Sequence, residues 1–263
     1  MVSLNLNYNE IETIESNQFD GMNSLLRLSL FGNHIFTINE FAFIGIGPNV
    51  TQINIGGNQL SRIPSDSIKY LQSLQRLQLH ENQIHSITRE DMKLLQNLSN
   101  LDALNLANNL IRQLDSSIFL DLLALNYLDL ESNQISLINE QAFHGIETTL
   151  EWLKLDNNQL SGIPSKALKR IKRLRQLDLK NNQIDRIESS SFKHYGKSIK
   201  FLYLQKNRIE HIDDDAFDSF ESLEWLYLNS NHLQRLSSKL FLKIFDKNLT
   251  ILDIHGKLLF LLV

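Results

Sequence analysis

Apolar and polar residues alternate along this chain in one pattern that returns about every 24 residues. The pattern reads L-x-x-L-x-L-x-x-N-x-[IL]-x-x-[IL], and a large apolar residue, usually Phe, follows five residues later. One full copy uses Leu174, Leu177, Leu179, Asn182, Ile184, Ile187 and Phe192. The alternation at Leu177 and Leu179 predicts a short strand with one buried face. The remaining residues are too few for a long helix, so we expect the chain to turn and come back to the next strand.

One asparagine occupies the same place in ten consecutive copies. These residues are Asn9, Asn33, Asn58, Asn82, Asn109, Asn133, Asn158, Asn182, Asn207 and Asn231. Successive asparagines are 24, 25, 24, 27, 24, 25, 24, 25 and 24 residues apart. An eleventh copy begins at residue 249 and carries Lys257 where the asparagine is expected. A fixed period of this length indicates a solenoid built from repeats.

A single copy cannot bury its own apolar side, whereas stacked copies share a continuous core. The chain must turn sharply after each strand, and the backbone groups of that turn are buried between neighbouring coils. Each group would cost about 1–3 kcal/mol if it were left without a hydrogen bond. An asparagine amide supplies two donor hydrogens and an acceptor, so it can satisfy several of these groups at once. We therefore predict that the asparagines form a structural ladder.

These motifs resemble the leucine-rich repeat, and the resemblance covers essentially the whole chain. It implies an α/β fold: a curved, horseshoe-shaped solenoid of about 11 repeats, with a parallel β-sheet on the concave face and short helical or irregular segments on the convex face. Residues 1–263 would form a single domain with partial repeats at both ends and no cysteine-rich caps. The 24-residue period is similar to the "typical" subclass of animal extracellular proteins. The expected outer spine consists of Phe19, Phe43, Phe119, Phe143, Phe192, Phe217 and Phe241.

A longer period relates the first four copies to the next four. The asparagines of copies 1 to 4 match those of copies 5 to 8 at an offset of 100 residues. The match extends beyond the repeat pattern, since NQLSRIPS at residue 58 returns as NQLSGIPS at residue 158. A duplication of four repeats explains this most simply. The alternating spacing resembles that of chaoptin-like cell-surface proteins, which are long arrays attached to membranes.

Charge and terminal segments restrict the partners. The formal net charge is −4 and the pI is near 6.1, whereas nucleic-acid-binding domains are strongly basic, so we expect no nucleic acid. The longest terminal apolar run is LLFLLV at residues 258–263, and six residues cannot cross a bilayer that needs about 20. This segment therefore predicts no direct membrane insertion.

The chain begins and ends inside a repeat, although solenoids need polar caps at both ends. Extracellular members of the family carry cysteines in those caps and a signal peptide before them. The absence of cysteine and of a signal sequence is therefore what an internal fragment would show. We expect such a fragment, from a protein that is extracellular or at the cell surface and attached to the membrane through other parts. The alternative is a complete cytoplasmic protein.

No catalytic constellation is evident. The eight histidines are scattered and lack metal-ligand spacing, so the sequence predicts no enzyme activity, no cofactor and no metal. Three N-x-[ST] sequons, at Asn49, Asn97 and Asn248, precede strands in segments from which a glycan could project.

The strand residues between the leucines are expected to face the concave solvent. The residue before the second leucine of each copy gives one column, and both tryptophans lie in it. The candidate partner-binding residues are Tyr127, Trp152, Phe201, Tyr203, Trp225 and Tyr227. Exposed aromatic clusters resemble protein-binding hot spots. The alternative is that these rings pack against one another and stiffen the sheet.

The leading hypothesis is a recognition module of a cell-surface or secreted protein. It would act in cell adhesion or receptor-type ligand binding, with a protein ligand or an identical molecule bound to the concave face. The alternative is an intracellular scaffold or adaptor of the same fold. An enzyme would need a catalytic domain outside this segment.

Overall fold

The computed structural model describes residues 2–240, 248–256 and 260–262. Eleven three-residue strands form one parallel sheet in chain order. With all strands numbered along the chain, they are β1 (Ser3–Asn5), β3 (Arg27–Ser29), β5 (Gln52–Asn54), β6 (Arg76–Gln78), β7 (Ala103–Asn105), β9 (Tyr127–Asp129), β11 (Trp152–Lys154), β12 (Gln176–Asp178), β14 (Phe201–Tyr203), β16 (Trp225–Tyr227) and β18 (Ile251–Asp253). Each strand pairs only with the strands of adjacent coils. The predicted parallel-sheet solenoid of about 11 turns is confirmed.

The side of each coil opposite the sheet is built in two ways. Some coils form a second short strand that pairs with the second strand of a neighbouring coil. The pairs are β2 (Thr13–Ile14) with β4 (Thr37–Ile38), β8 (Gln113–Leu114) with β10 (Leu137–Ile138), β13 (Arg186–Ile187) with β15 (His211–Ile212), and β17 (Arg235–Ser237) with β19 (Phe260–Leu262). Other coils form short helices: α1 (Ser65–Ile68), α2 (Arg89–Leu94) and α3 (Ser165–Leu168). The coils of β13 and β17 also contain 3-10 turns, at Gly196–Ser198 and Ser238–Leu240.

Coils with phenylalanine at the spine position form the second strand, whereas coils with another residue there form a helix. The three helical coils place Ile68, Met92 and Leu168 where other coils have phenylalanine, and all three side chains are buried. The phenylalanine rings stack between neighbouring coils, with centroids 5.9 Å apart for Phe19 and Phe43 and 6.3 Å apart for Phe119 and Phe143. Phe192 and Phe217 stack in the same way at 6.1 Å. Phe241, the last predicted member of the spine, lies outside the described residues, as does Lys257.

The core is a stack of leucine and isoleucine layers inside the coils. The middle residue of nearly every strand is buried, from Leu28 and Ile53 to Leu202 and Leu226, each with no more than 2% of its surface exposed. Most residues on either side of it point away from this core and remain partly accessible, whereas Asp129 and Asp178 are buried. The sequence alternation thus produces a sheet with one buried face and one solvent-facing side, which is called the sheet face below.

Nine of the ten ladder asparagines are buried where the chain leaves the strand. In Asn109, Nδ2 donates to the carbonyl oxygens of Leu106 in its own coil and of Leu79 in the preceding coil, both at 3.0 Å. Its Oδ1 accepts from the backbone N–H of Ile84 in the preceding coil. Asn9 belongs to the first coil; it is exposed and its amide donates only within its own coil. The amides therefore join neighbouring coils along the solenoid.

The residue before each ladder asparagine adopts a left-handed backbone conformation. Ser132 and Asn157 have φ of 53° and 54°, and Lys206 and Ser230 both have φ of 57°. This conformation turns the chain sharply after the strand, and it disfavours β-branched residues. The turn exposes strand carbonyls that the asparagine amide then satisfies, so the two features are parts of one corner.

Candidate protein-binding face

The strand register brings the predicted column of sheet-face residues into one row. Tyr127 lies opposite Trp152, Trp152 opposite Gln176, Gln176 opposite Phe201, and Phe201 opposite Trp225. The row begins with the polar residues of the first coils and becomes aromatic towards the later ones. The shared register follows from the constant spacing of leucines in the repeat, since a shift by one residue would expose the core side of a strand.

Five of the aromatic residues make ring contacts across the strands. The centroids of Trp152 and Phe201 are 6.2 Å apart across Gln176, and those of Phe201 and Trp225 are 4.6 Å apart. One row further along the strands, Tyr203 and Tyr227 stack at 5.3 Å with nearly parallel planes. All five side chains are half-buried. They are called the aromatic block: Trp152, Phe201, Tyr203, Trp225 and Tyr227.

Mutual packing and an open outer surface coexist in this block. Neighbouring rings cover part of each other, which is how cross-strand aromatic pairs stabilise a sheet. The remaining accessible part of each ring faces the solvent side of the sheet, where a partner could cover it. Aromatic residues held rigidly in this way lose little side-chain entropy on binding.

Tyr127, the sixth predicted residue, belongs to a charged network. Its hydroxyl donates to Oδ2 of Asp129 at 2.9 Å. Lys154 reaches the same carboxylate oxygen at 3.0 Å and Oε2 of Glu131 at 2.6 Å. Burial, together with the negative charge and hydrogen bond of Asp129, raises the pKa of Tyr127 to about 12. The phenol is therefore fixed as a neutral donor beside the aromatic block.

Two further carboxyl groups extend this network into the next coils. Burial, reinforced by the charge of Asp178, raises the pKa of Asp156 to about 7. Burial also raises the pKa of Asp178 to about 6, although the backbone N–H and charge of Lys180 oppose that shift. Asp156 is only 2% exposed; its Oδ2 accepts from Nδ2 of Asn157, while its Oδ1 has no hydrogen-bond partner. This part of the sheet face thus changes charge near neutral pH.

A cavity of about 570 Å³ opens on the sheet face beside Trp152. Its walls include Arg76 on one side and Tyr127 and Trp152 on the other, and Ala103 lies between them in the row. The alanine methyl group leaves space that the larger neighbours do not fill. Sequence reasoning placed Ala103 in the column but did not treat it as a site residue. The sequence does show this position, because the small Ala103 lies between the larger Arg76 and Tyr127 in the column.

The three sequon asparagines lie on the surface that leads into the strands. Asn49, Asn97 and Asn248 are all exposed. The amide of Asn49 donates to the carbonyl of Asn23 at 2.7 Å.

No group of three or more His, Cys, Asp or Glu side chains in residues 2–240, 248–256 and 260–262 has an arrangement that could hold a metal ion. The helices of this part of the chain are all too short to span a bilayer.

Comparison with known proteins identifies the repeat. The family described as "Leucine rich repeat" matches residues 1–35, 48–103, 99–148, 148–198 and 197–259. Bovine (Bos taurus) asporin is 35% identical over 74 residues, which are 27% of this chain and 20% of asporin.

Solved structures share the fold at low sequence identity. The chain in the TLR13–ssRNA13 complex has a TM-score of 0.80 and 22% identity, covering 96% of this chain and 40% of its own length. The chain in the Drosophila Toll–Spatzle complex has a TM-score of 0.79 and 24% identity, covering 89% of this chain and 30% of its own length. A chain of the mouse RP105/MD-1 complex has a TM-score of 0.70 and 22% identity, covering 90% of this chain and 43% of its own length. Our chain therefore spans less than half the length of these relatives.

Proposed function

Because this chain belongs to the leucine-rich-repeat family, we propose that it is a protein-recognition module of a cell-surface or secreted protein that binds its partner on the sheet face. Its role would be cell adhesion or receptor-type ligand binding. The partner is a protein ligand or a second copy of the same molecule. The similar Toll and RP105 chains were each solved in complex with a protein, which supports this class of partner.

The observation that carries the proposal is the run of rings from Trp152 through Phe201 to Trp225. It is continuous over four coils, partly accessible and bordered by the cavity at Ala103. Tryptophan and tyrosine at the centre of a rigid surface, with a neighbouring recess, are the features that concentrate binding energy in protein interfaces. The solenoid holds them on paired strands, so little ordering is required on binding.

Charge on the same face favours a protein over a nucleic acid. Asp129, Glu131 and Asp178 lie beside the aromatic block, and Lys154 and Lys180 offset part of their negative charge. A phosphate backbone would be repelled here, whereas a protein partner can present lysine or arginine. The TLR13 chain was solved with single-stranded RNA, so an RNA oligonucleotide is a necessary comparison ligand in any binding experiment.

The test uses the purified chain as a labelled probe on intact and on permeabilised cells. We expect saturable binding to intact cells that is lost in the double variant Trp225→Ala/Tyr203→Ala, because that variant removes one ring from each row of the block. Leu123→Ala is the matched control, since Leu123 is 68% exposed and lies outside the strands of the sheet face. Circular dichroism establishes that each variant is folded.

Different results would redirect the assignment. Undiminished binding by the folded double variant would exclude the block as the binding site. Unfolding of the double variant would assign the rings to sheet stability. Binding only after permeabilisation would favour the intracellular scaffold. Concentration-dependent self-association by sedimentation velocity, absent in the double variant, would identify the partner as a second copy.

A further inference from the structure

Positive charge is concentrated in one short part of a chain that is negative overall. Residues 165–200 contain eleven lysines and arginines and three acidic residues, whereas the whole chain has a net charge of −4. The overall charge therefore conceals a local surface of opposite sign. These residues belong to the seventh and eighth coils and reach the start of the ninth.

Five of the basic side chains line one groove of about 790 Å³. They are Lys169, Arg170, Lys172, His194 and Lys197, and this groove is called the basic groove. All five are exposed, while the intervening Ile171 and Tyr195 are each only 2% exposed. The apolar residues therefore anchor the two walls in the core, and the basic side chains lie above them at the surface.

Most of the nearby acidic residues are already engaged outside the groove. Glu151 pairs with Arg173 at 2.9 Å and with Arg175 at 3.2 Å. Glu147 reaches the groove wall, but its carboxylate is held by the ring of His144 and the backbone N–H of Gly145, both at 2.7 Å.

Three of the groove cations lack a carboxylate of their own. Lys197 pairs with Glu221 at 3.1 Å at the edge of the groove. Within the part of the chain that the structure describes, Lys169, Arg170 and Lys172 form no ion pair. Positive charge therefore exceeds negative charge in the groove, although Glu147 lines its wall and the charge of Lys169 also acts on Glu140.

The first block of four coils contains an equivalent groove that serves as an internal reference. It has a volume of about 610 Å³, and the five positions offset by 100 residues also line it. They are Lys69, Tyr70, Gln72, Leu94 and Asn97. The single cation among them, Lys69, lies 3.9 Å from Asp66 and 5.2 Å from the centre of the Tyr70 ring. The fold alone therefore makes the groove, and substitutions at four positions of the second block make it basic.

We propose that the basic groove binds a sulfated polysaccharide chain. Exposed lysines and arginines on long side chains, without a fixed bidentate geometry, suit an anion with many charges rather than one specific carboxylate. Ser198 and Ser222 also line the groove and can hydrogen-bond to sugar hydroxyls. The site is separate from the sheet face, so it does not depend on the protein-binding proposal.

Other polyanions fit the same groove less well. Single-stranded nucleic acids gain affinity by stacking bases on exposed aromatic rings, but the groove's tyrosine is buried. A protein partner would need apolar anchors, and the isoleucine of the groove is buried as well. A membrane surface is flat, whereas these cations line a recess. The remaining class carries dense charge and hydroxyl groups and needs no apolar contact.

The experiment measures binding of size-defined heparin to the full chain at several salt concentrations. We expect the triple variant Lys169→Gln/Arg170→Gln/Lys172→Gln to bind heparin at least about tenfold more weakly in 150 mM salt. The dependence of its affinity on salt should also become shallower, because fewer counterions are released. The control Arg62→Gln/Lys69→Gln/Lys93→Gln removes the same charge from the first block and should change the affinity less than about twofold.

Three competing ligands and one modified ligand complete the design. An RNA oligonucleotide, poly-glutamate and phosphatidylserine vesicles are compared at equal charge concentration, and desulfated heparin tests the role of sulfate. Equal losses in the two triple variants would overturn the proposal, as would equal binding of desulfated heparin or stronger binding of any competitor. Unchanged melting temperatures of both variants confirm that the losses do not reflect unfolding.

Discussion

Residues 1–100 and 101–200 are two blocks of four coils with the same interior and different surfaces. Leu28 and Leu128 are equivalent core positions, and each is no more than 2% exposed. On the sheet face, Arg27 and Gln52 of the first block correspond to Tyr127 and Trp152 of the second. The coil interior admits only apolar residues of similar volume, whereas the sheet face tolerates any residue that the strand can carry. Function is therefore expected where the blocks differ.

The outer side of the blocks diverges in only one coil. The first three coils of each block form the same elements: a short strand, a short strand and a four-residue helix. The fourth coil forms α2 in the first block, but it forms β13 and a 3-10 turn in the second. Met92 is a flexible unbranched side chain at the spine position, whereas Phe192 stacks on Phe217. The fourth coils of the two blocks thus differ in their spine residue and in local structure, while the coils stack in the same way in both blocks.

The greatest difference in stability is expected between variants of two equivalent ladder asparagines, one between coils and one in the first coil. Asn109→Ala should lower the free energy of unfolding by roughly 3–5 kcal/mol, because it leaves the N–H of Ile84 without a partner and removes one of the two amide hydrogen bonds that the carbonyls of Leu79 and Leu106 each accept. Asn9→Ala should cost less than about 1 kcal/mol, since Asn9 is exposed and water can replace its amide. Urea unfolding followed by circular dichroism measures both. Similar losses in the two variants would show that stacking between coils does not depend on the ladder.

The next contrast concerns two glycines in equivalent motifs, AFIGI and AFHGI. Gly145 has φ of +102°, and a Cβ there would lie 2.6 Å from the backbone oxygen of Leu120. Gly145→Ala should therefore destabilise the fold by roughly 2–4 kcal/mol. A Cβ on Gly45 would instead meet the side-chain oxygen of Asp20, which can rotate away, so Gly45→Ala should cost about 1 kcal/mol. Thermal melting compares the pair, and equal losses would contradict the assigned backbone difference.

The smallest contrast depends on pH and on the charged network of the second block. In the native protein Asp156 has a pKa of about 7, so it keeps its proton where the unfolded chain, with an ordinary pKa near 4, has lost it. The native state then binds more protons between about pH 4 and 7, and stability falls as the pH rises through that window. We expect a loss on the order of 2 kcal/mol between pH 5 and pH 7.5.

Asp156→Asn tests this assignment because an amide cannot ionise. The variant should flatten the pH dependence and be more stable than the wild type at pH 7.5; Asp178, with a pKa near 6, leaves a smaller residual slope. Position 56, the equivalent in the first block, is glycine, so that block contributes no such slope. Asp185→Asn, at an exposed aspartate, is the control and should follow the wild-type curve. An unchanged slope in Asp156→Asn would remove this carboxyl as the cause.

The fold could be predicted largely from the sequence because the repeat is a local code. Leucine spacing gave the strands and their register, and the ladder asparagines marked each corner. The sequence did not show that the spine residue separates helical coils from strand coils. In the strand coils the phenylalanine stacks on the next coil, and no single copy contains that contact. The eleventh copy matched the pattern in its strand, where Ile251 pairs with Trp225.

The candidate sites were predicted less completely. The sequence pattern predicted the aromatic column, but the contact of Trp152 with Phe201 across Gln176 depends on the orientation of the rings. The basic groove escaped notice because the net charge averages the whole chain. Tyr127 was grouped with the other rings, whereas its hydroxyl joins it to Asp129.

The repeat pattern was sufficient to predict stacked leucine-rich coils with a ladder of amides at each corner. It could do so because every coil repeats the same short-range pattern and its core positions accept only apolar residues. The tertiary structure alone decided which surface residues meet. Residues about 25 positions apart become neighbours only after stacking, so the aromatic block, the raised pKa of Asp156 and the basic groove are properties of adjacent coils and of no single repeat.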